Sequence, residues 1–180
     1  TYCATPYMHP QIVRRTPERV VEEIRHWNAL EVKRYVLYDD NFLYRSEVYA
    51  KPLLRQIAGL NISIDIYNPN ALNAALIDEE LAMLLLGAGF NEVRIGLESA
   101  NSSVQKETGG KVSLKQFEQA VNSLLSSGFK NDEVVAYILA GLPNQRWEEV
   151  RHSIDYVMGL GIQPYIAEYT PIPHTKLFEE

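Results

Sequence analysis

The chain has 180 residues, 46% of them hydrophobic and 22% charged, with a formal net charge of −6 and one cysteine. This is the length of one ordinary domain with room for a core, and the composition is too apolar for a disordered chain. One cysteine excludes an internal disulfide and a metal site built from several of this chain's own thiolates. No apolar run reaches the roughly 18–20 residues of a membrane span, no signal peptide opens the chain, and the acidic balance disfavours a broad nucleic-acid footprint.

The sequence opens Thr1-Tyr2-Cys3, without Met, and reads as loop to about Gln11 with no strand before it. A domain that starts in mid-loop is expected to be a fragment. Thr16 is a natural N-cap and Pro17 a natural first helical residue, and Val20, Val21, Ile24 and Trp27 recur at helical spacing, so a helix is predicted over about 17–30. The short apolar run 35–38 follows, then Asp39-Asp40-Asn41. Further helices are predicted over 46–58, 78–88, 113–127 and 147–160, and strands over 62–67, 93–97, 134–139 and 164–168. Gly59, Gly89, Gly128 and Gly161 each stand between a helix and a strand, at spacings of 30, 39 and 33 residues. Glycine suits the left-handed residue that ends a helix, and such spacings fit one βα unit each. The strands are continuously apolar, as parallel strands buried on both faces are. Loops are short except around 101–112. The chain therefore reads as a single α/β domain of five helices and five strands, either an open doubly wound sheet or part of a (β/α) barrel. A full eight-stranded barrel takes about 250 residues, and one more strand before Thr1 would make six.

In either architecture chemistry belongs at the carboxyl ends of the strands. Asp39-Asp40-Asn41 stands at the first such end and is either a capping turn or a site. Glu98 follows directly on a buried strand, where a carboxylate needs a partner or a ligand. Gly141-Leu142-Pro143 and Glu168-Tyr169-Thr170-Pro171 close the last two strands. Arg14-Arg15 reads as a solvated pair, His26 and His152 as surface residues, and Trp27 and Trp147 as packing anchors.

Tyr2-Cys3 in a loop before a capped helix resembles the tail of the CxxxCx(aromatic)C loop of the radical S-adenosylmethionine (SAM) superfamily. Tyr38-Asp39-Asp40-Asn41-Phe42, Ile95-Gly96-Leu97-Glu98-Ser99 and Ile138-Leu139-Ala140-Gly141-Leu142-Pro143 are similar to its second, fourth and fifth strand ends, in the subgroup with cobalamin-binding and methylthiotransferase-type members. Tyr169-Thr170-Pro171-Ile172-Pro173-His174-Thr175 is similar to a sixth-strand segment that usually reads Pro-Gly-Thr, with His174 replacing the glycine. Each motif is weak alone; their order along the whole chain is the signal.

The resemblance implies a partial TIM-type (β/α)6 barrel lacking its first strand, in which three cysteines hold a [4Fe-4S] cluster and SAM chelates the open iron. Electron transfer to the sulfonium yields a 5′-deoxyadenosyl radical that abstracts hydrogen from substrate. It implies Cys3 as an iron ligand and Tyr2 beside the adenine. Asp39, Asp40 and Asn41 would meet the ammonium of SAM, with alternation favouring Asp39 and Asn41, or else Asp40 alone. Glu98 would accept hydrogen bonds from the ribose, Leu139 and Gly141 would wall the adenine, and Pro171 and Pro173 would shape the rim. Two cysteines of the loop would precede Thr1, and the arginine often found after the third strand is missing from 67–72. The expected protein is a cytoplasmic radical SAM enzyme with an electron donor, a small-molecule or macromolecular substrate, and a flanking domain that could bind cobalamin. This fragment is expected to hold no cofactor and to be inactive. Two alternatives stand beside this: a degenerate cluster-free barrel acting as a binding scaffold, and an α/β enzyme using Asp39, Asp40 and Glu98 around a divalent cation.

Overall fold

The computed structural model describes residues 3–101, 104–105, 110 and 112–179. Five strands, β1 (Arg34–Val36), β2 (Asp65–Tyr67), β3 (Phe90–Glu98), β4 (Val134–Ala140) and β5 (Gln163–Glu168), pair in that order, and every pair is parallel. Sequential order leaves no switch point, and right-handed crossovers then put every connecting helix on the same face. This excludes the doubly wound alternative and gives an open partial (β/α) barrel.

The helices are α1 (Thr5–Met8), α2 (Pro17–Ala29), α3 (Ala50–Ala58), α4 (Glu79–Gly87), α5 (Leu114–Ser127), α6 (Trp147–Gly159) and α7 (Lys176–Glu179). α1 is a single turn in the segment expected to be loop, with Pro6 in its first turn. The 46–58 helix is divided: a 3-10 turn over Ser46–Val48, then α3. Thr16, Asp78 and Ser113 cap α2, α4 and α5 through their side-chain oxygens, the last in a capping box with Gln116. The long connection at 101–112 lies mostly outside the described residues.

Alternation along the strands separates two faces. Val93, Ile95, Leu97, Val134, Ala136 and Ile138 are buried under the helices and form the core with Leu54, Leu81, Leu85, Phe117 and Leu124. Their neighbours Arg94, Gly96, Glu98, Tyr137 and Leu139 lie on the concave face and are only half-buried. The expectation of burial on both faces therefore fails, because the open barrel has helices on its outside alone. Trp27 and Trp147 are exposed rather than packing anchors.

The helix-ending glycines do not all work alike. Gly89 has φ +93°, and a Cβ there would stand 2.5 Å from the Ile64 carbonyl oxygen, so only glycine fits. Gly59 keeps a right-handed φ of −70°, and the left-handed turn falls instead on Asn61. Where β2 leaves the sheet, buried Asn68 replaces a strand residue. Its amide accepts from the Arg94 N–H (3.2 Å) and donates to the Arg94 carbonyl (2.9 Å). The chain rejoins β3 at Leu72, which bridges to Ile95.

Lys51 ties α3 to α4. Its residue is 3% exposed, and its ammonium lies 2.6, 2.9 and 2.8 Å from carboxylates of Glu47, Asp78 and Glu80. The hydrogen bonds that Lys51 donates to Glu47 and then Glu80 hold its pKa well above its usual range. Burial raises the Asp78 carboxyl, but the Leu81 N–H and Lys51 outweigh it and lower the pKa; Lys51 and then Arg55 lower that of Glu80.

Lys51→Met is expected to lower stability by about 1–2 kcal/mol, or roughly 2–8 °C in Tm, between an exposed and a fully buried pair because the carboxylates stay hydrated. Depressed carboxyls stabilise above their unfolded pKa, near 4, and a raised lysine stabilises below its own, near 10.4. The difference between wild type and variant should thus be full from about pH 5 to 10 and shrink below about pH 4, as denaturant melts across pH would show.

Candidate functional site

The carboxyl ends of all five strands meet along one rim. After β1 the Leu37 N–H donates to the Tyr67 carbonyl (2.8 Å), and the chain then leaves the sheet. Asn70, beyond β2, donates to the carbonyls of Tyr38 (3.2 Å) and Asp39 (3.4 Å), and buried Phe42 and Leu43 anchor the far end of the loop. Asp39 is half-buried, while Asp40 and Asn41 are exposed. Burial raises the Asp39 pKa, the Arg14 charge opposes this, and Asp40 adds to it. The Asp39 carboxylate accepts no hydrogen bond among the described residues.

Glu98 ends β3 in the left-handed region, at φ +69°, and the Ser99 N–H closes on the Leu97 carbonyl at 2.9 Å. This is a strained three-residue turn, of the kind retained where a side chain must be aimed. The register with β4 shifts at the same point. Ser99 is buried, its hydroxyl accepts from the Asn101 N–H (3.0 Å), and the Ala100 N–H donates to the Ser153 hydroxyl (2.9 Å), so the turn is held from α6.

At the end of β4, Leu139 shares the concave face with Tyr137 and pairs with Ala167. Gly141 is exposed, has φ +88°, which favours glycine, and faces open space, with nothing within 4 Å of where its Cβ would be. The exit turn is stapled by Gln145, whose amide oxygen accepts from Gly141 N–H (2.8 Å) and Leu142 N–H (3.2 Å) while its nitrogen donates to the Leu139 carbonyl (2.9 Å). Beside it the Tyr169 N–H donates to the Ala140 carbonyl (2.8 Å), and the Tyr169 hydroxyl is buried with no partner among the described residues.

A concave layer was not foreseen from the sequence. Arg94 donates to Glu92 (2.5 Å) and to the Tyr137 hydroxyl (2.8 Å), lies over the rings of Tyr137 and Tyr165, and Tyr137 donates on to the Pro69 carbonyl (2.8 Å). The layer braces β2, β3 and β4 below the rim. Only the alternation of β3, which sets Arg94 on the face of Gly96 and Glu98, could have pointed to it. Arg14, expected as solvated, instead donates to the Asn41 carbonyl at 2.9 Å.

Cys3 is an exposed free thiol, and Tyr2 lies outside the described residues. The Tyr7 ring stacks on His174 at 4.3 Å, joining the cysteine-bearing segment to the loop after β5. His174 has φ +66°, the conformation that explains why the resembled motif carries glycine there. Asp39, Asp40 and Glu98 do not converge on one point. Among the described residues the carboxylates close enough to share a cation are Glu47, Asp78 and Glu80, and Lys51 already occupies their centre.

The rim offers groups whose chemistry suits SAM: a half-buried carboxylate at Asp39 and a buried hydroxyl at Tyr169, both without a hydrogen-bond partner among the described residues, a second acid at Glu98 and open space at Gly141. It does not fit a three-thiolate cluster by itself, since the chain has one cysteine.

Several solved structures share this fold, two of them described as radical SAM enzymes. The methyltransferase TsrM from Kitasatospora setae, with cobalamin and a [4Fe-4S] cluster bound, is 23% identical with a TM-score of 0.78 over 92% of this chain. Coproporphyrinogen III oxidase HemN from Escherichia coli is 18% identical (TM-score 0.67, 94% of this chain), and the hydrogenase maturase HydG 17% identical (TM-score 0.63, 99% of this chain). The chain spans 33% of the TsrM chain and 41% of each of the other two. No curated protein matches the chain significantly. The model of the radical SAM superfamily matches residues 1–157, and the chain belongs to that superfamily.

Proposed function

We propose that this chain is the SAM-binding core of an enzyme that reductively cleaves SAM at a [4Fe-4S] cluster and directs the resulting 5′-deoxyadenosyl radical at a substrate. The observation that carries the reading is the placement of Asp39, Glu98, Gly141 and Tyr169 at the carboxyl ends of β1, β3, β4 and β5 of one sheet. The cluster supplies the electron; the rest is positioning, which is what a protein contributes to cofactor chemistry.

In this reading Asp39 binds the ammonium of SAM through a charge-assisted hydrogen bond, about twice as strong as a neutral one. Asp40 and Asn41 complete that end. Glu98, aimed by its turn, accepts from the two ribose hydroxyls. Leu139 packs on the adenine, and Gly141 lets the ring approach the backbone. Tyr169 donates its hydroxyl to the bound nucleoside, which gives a buried group its missing partner. Cys3 supplies one thiolate toward the cluster, and Tyr7 on His174 holds that segment near the β5 end of the rim. Substrate meets the concave face below SAM, and an electron donor serves the cluster. A cobalamin-binding flanking domain and a cytoplasmic setting belong to the same proposal. No described helix is long and apolar enough to cross a membrane.

Calorimetry with S-adenosylhomocysteine tests the site without a cluster. Glu98→Gln should weaken binding about tenfold, as loss of a charged hydrogen bond of roughly 1.5 kcal/mol predicts; equal affinities would remove Glu98 from the site. Tyr169→Phe should leave Tm of the free chain unchanged or slightly higher, because the hydroxyl has no partner among the described residues to lose, and should weaken ligand binding. A lower Tm would mean that the hydroxyl is already satisfied. Finally, this polypeptide alone, with one thiolate, should gain no [4Fe-4S] absorption or SAM-sensitive EPR signal on reconstitution with iron and sulfide. A SAM-sensitive signal would overturn that expectation.

A further inference from the structure

The loop 37–45 carries the ammonium-binding carboxylate of the proposed site, yet little of the sheet holds it. Asn70 fixes its start from the β2 side. Its middle is fixed from the opposite side by Arg14, which lies between α1 and α2. The Arg14 guanidinium donates to the Asn41 carbonyl at 2.9 Å, the same oxygen that accepts from the Tyr44 N–H (3.2 Å) and so closes the turn. Its Cζ lies over the Tyr49 ring, 4.5 Å from the centroid, with the Tyr44 centroid at 5.9 Å. Tyr49 is itself buried and edge-on to Phe42, so the platform is rigid. Arg14 is half-buried, whereas the adjacent Arg15 is exposed and pairs with Glu23 of α2.

We propose that Arg14 is a positioning residue that clasps the Asp39–Asn41 segment in its SAM-binding conformation without itself touching SAM. The proposal rests on the reading of this rim as a SAM site. A planar guanidinium can stack by its face and donate by its edge at once; an ammonium cannot do both. Arg14 spends its hydrogen bond on a backbone carbonyl, so the Asp39 carboxylate stays open for a ligand. Its charge also acts on that carboxylate, against burial and against Asp40, and favours the ionised form at neutral pH. One side chain thus acts on both the shape of the loop and the acid it carries.

Shape and charge separate in three variants of the 180-residue chain. In Arg14→Met and Arg14→Lys, amide exchange at 41–45 should rise about tenfold or more, as the loss of a charged hydrogen bond and a stacked cation predicts. In Arg15→Gln it should stay at the wild-type rate. The Asp39 carboxyl, followed by NMR titration, should move up in Arg14→Met and stay near wild type in Arg14→Lys. Affinity for S-adenosylhomocysteine should fall in both Arg14 variants. Wild-type exchange in Arg14→Lys, or equal loosening in Arg15→Gln, would overturn the proposal. Loosening with no nucleoside binding even by wild type would keep the clasp and overturn the SAM reading, so the two failures are distinguishable.

Discussion

The constraint on which everything else rests is the unbroken strand order. Parallel strands joined by right-handed crossovers, each added beside the last, put all helices on one face and all carboxyl ends on one rim. Asp39, Glu98, Gly141 and Tyr169 are far apart in the sequence, and nothing local relates them. They come to stand along one rim because the sheet never reverses direction.

The rim is maintained by polar links rather than by the core. The core, from Leu54 through Val93 to Leu124, holds helices to strands and reaches the 37–45 loop only at its far end, through Phe42 and Leu43. Above it, side chains stand in for missing sheet: Asn68 for a strand residue beside Arg94, Asn70 for pairing at Tyr38 and Asp39, Gln145 for the turn at Gly141, Arg14 for the turn at Asn41. Each takes up backbone groups that would otherwise be unpaired at the edge of the fold. Among the described residues this leaves the Asp39 carboxylate and the Tyr169 hydroxyl without a hydrogen-bond partner. The left-handed turn at Glu98 is a costly element of the rim, and buried Ser99 and Ser153 hold it in place.

Much of the architecture could be read from residue order. The caps at Thr16, Asp78 and Ser113 and the apolar runs placed the main helices and strands to within a few residues. The stretch at 46–58 was harder, because Arg45 takes a left-handed φ and forces a 3-10 turn before α3 can begin. Gly59 was misread because a helix can also stop in a right-handed conformation and pass the left-handed residue to Asn61. The strands were expected to be buried twice over; continuous apolar runs do not distinguish a sheet covered on both faces from a barrel wall whose inner face is half-open.

The sequence by itself determined the alternation of helix and strand, and it placed acids and glycines at strand ends, because capping, periodicity and strand exit are short-range properties. It also carried the ordered motifs that mark the radical SAM superfamily. Only the tertiary structure decided between doubly wound and barrel topology, which of Asp39, Asp40 and Asn41 is withdrawn from solvent, and that Arg14 is a clasp while Arg15 is not. Those outcomes depend on partners 27 or more residues away, such as Asn41 for Arg14 and Tyr137 for Arg94. No local pattern records such a pair, since the contact exists only once the strands have been laid side by side.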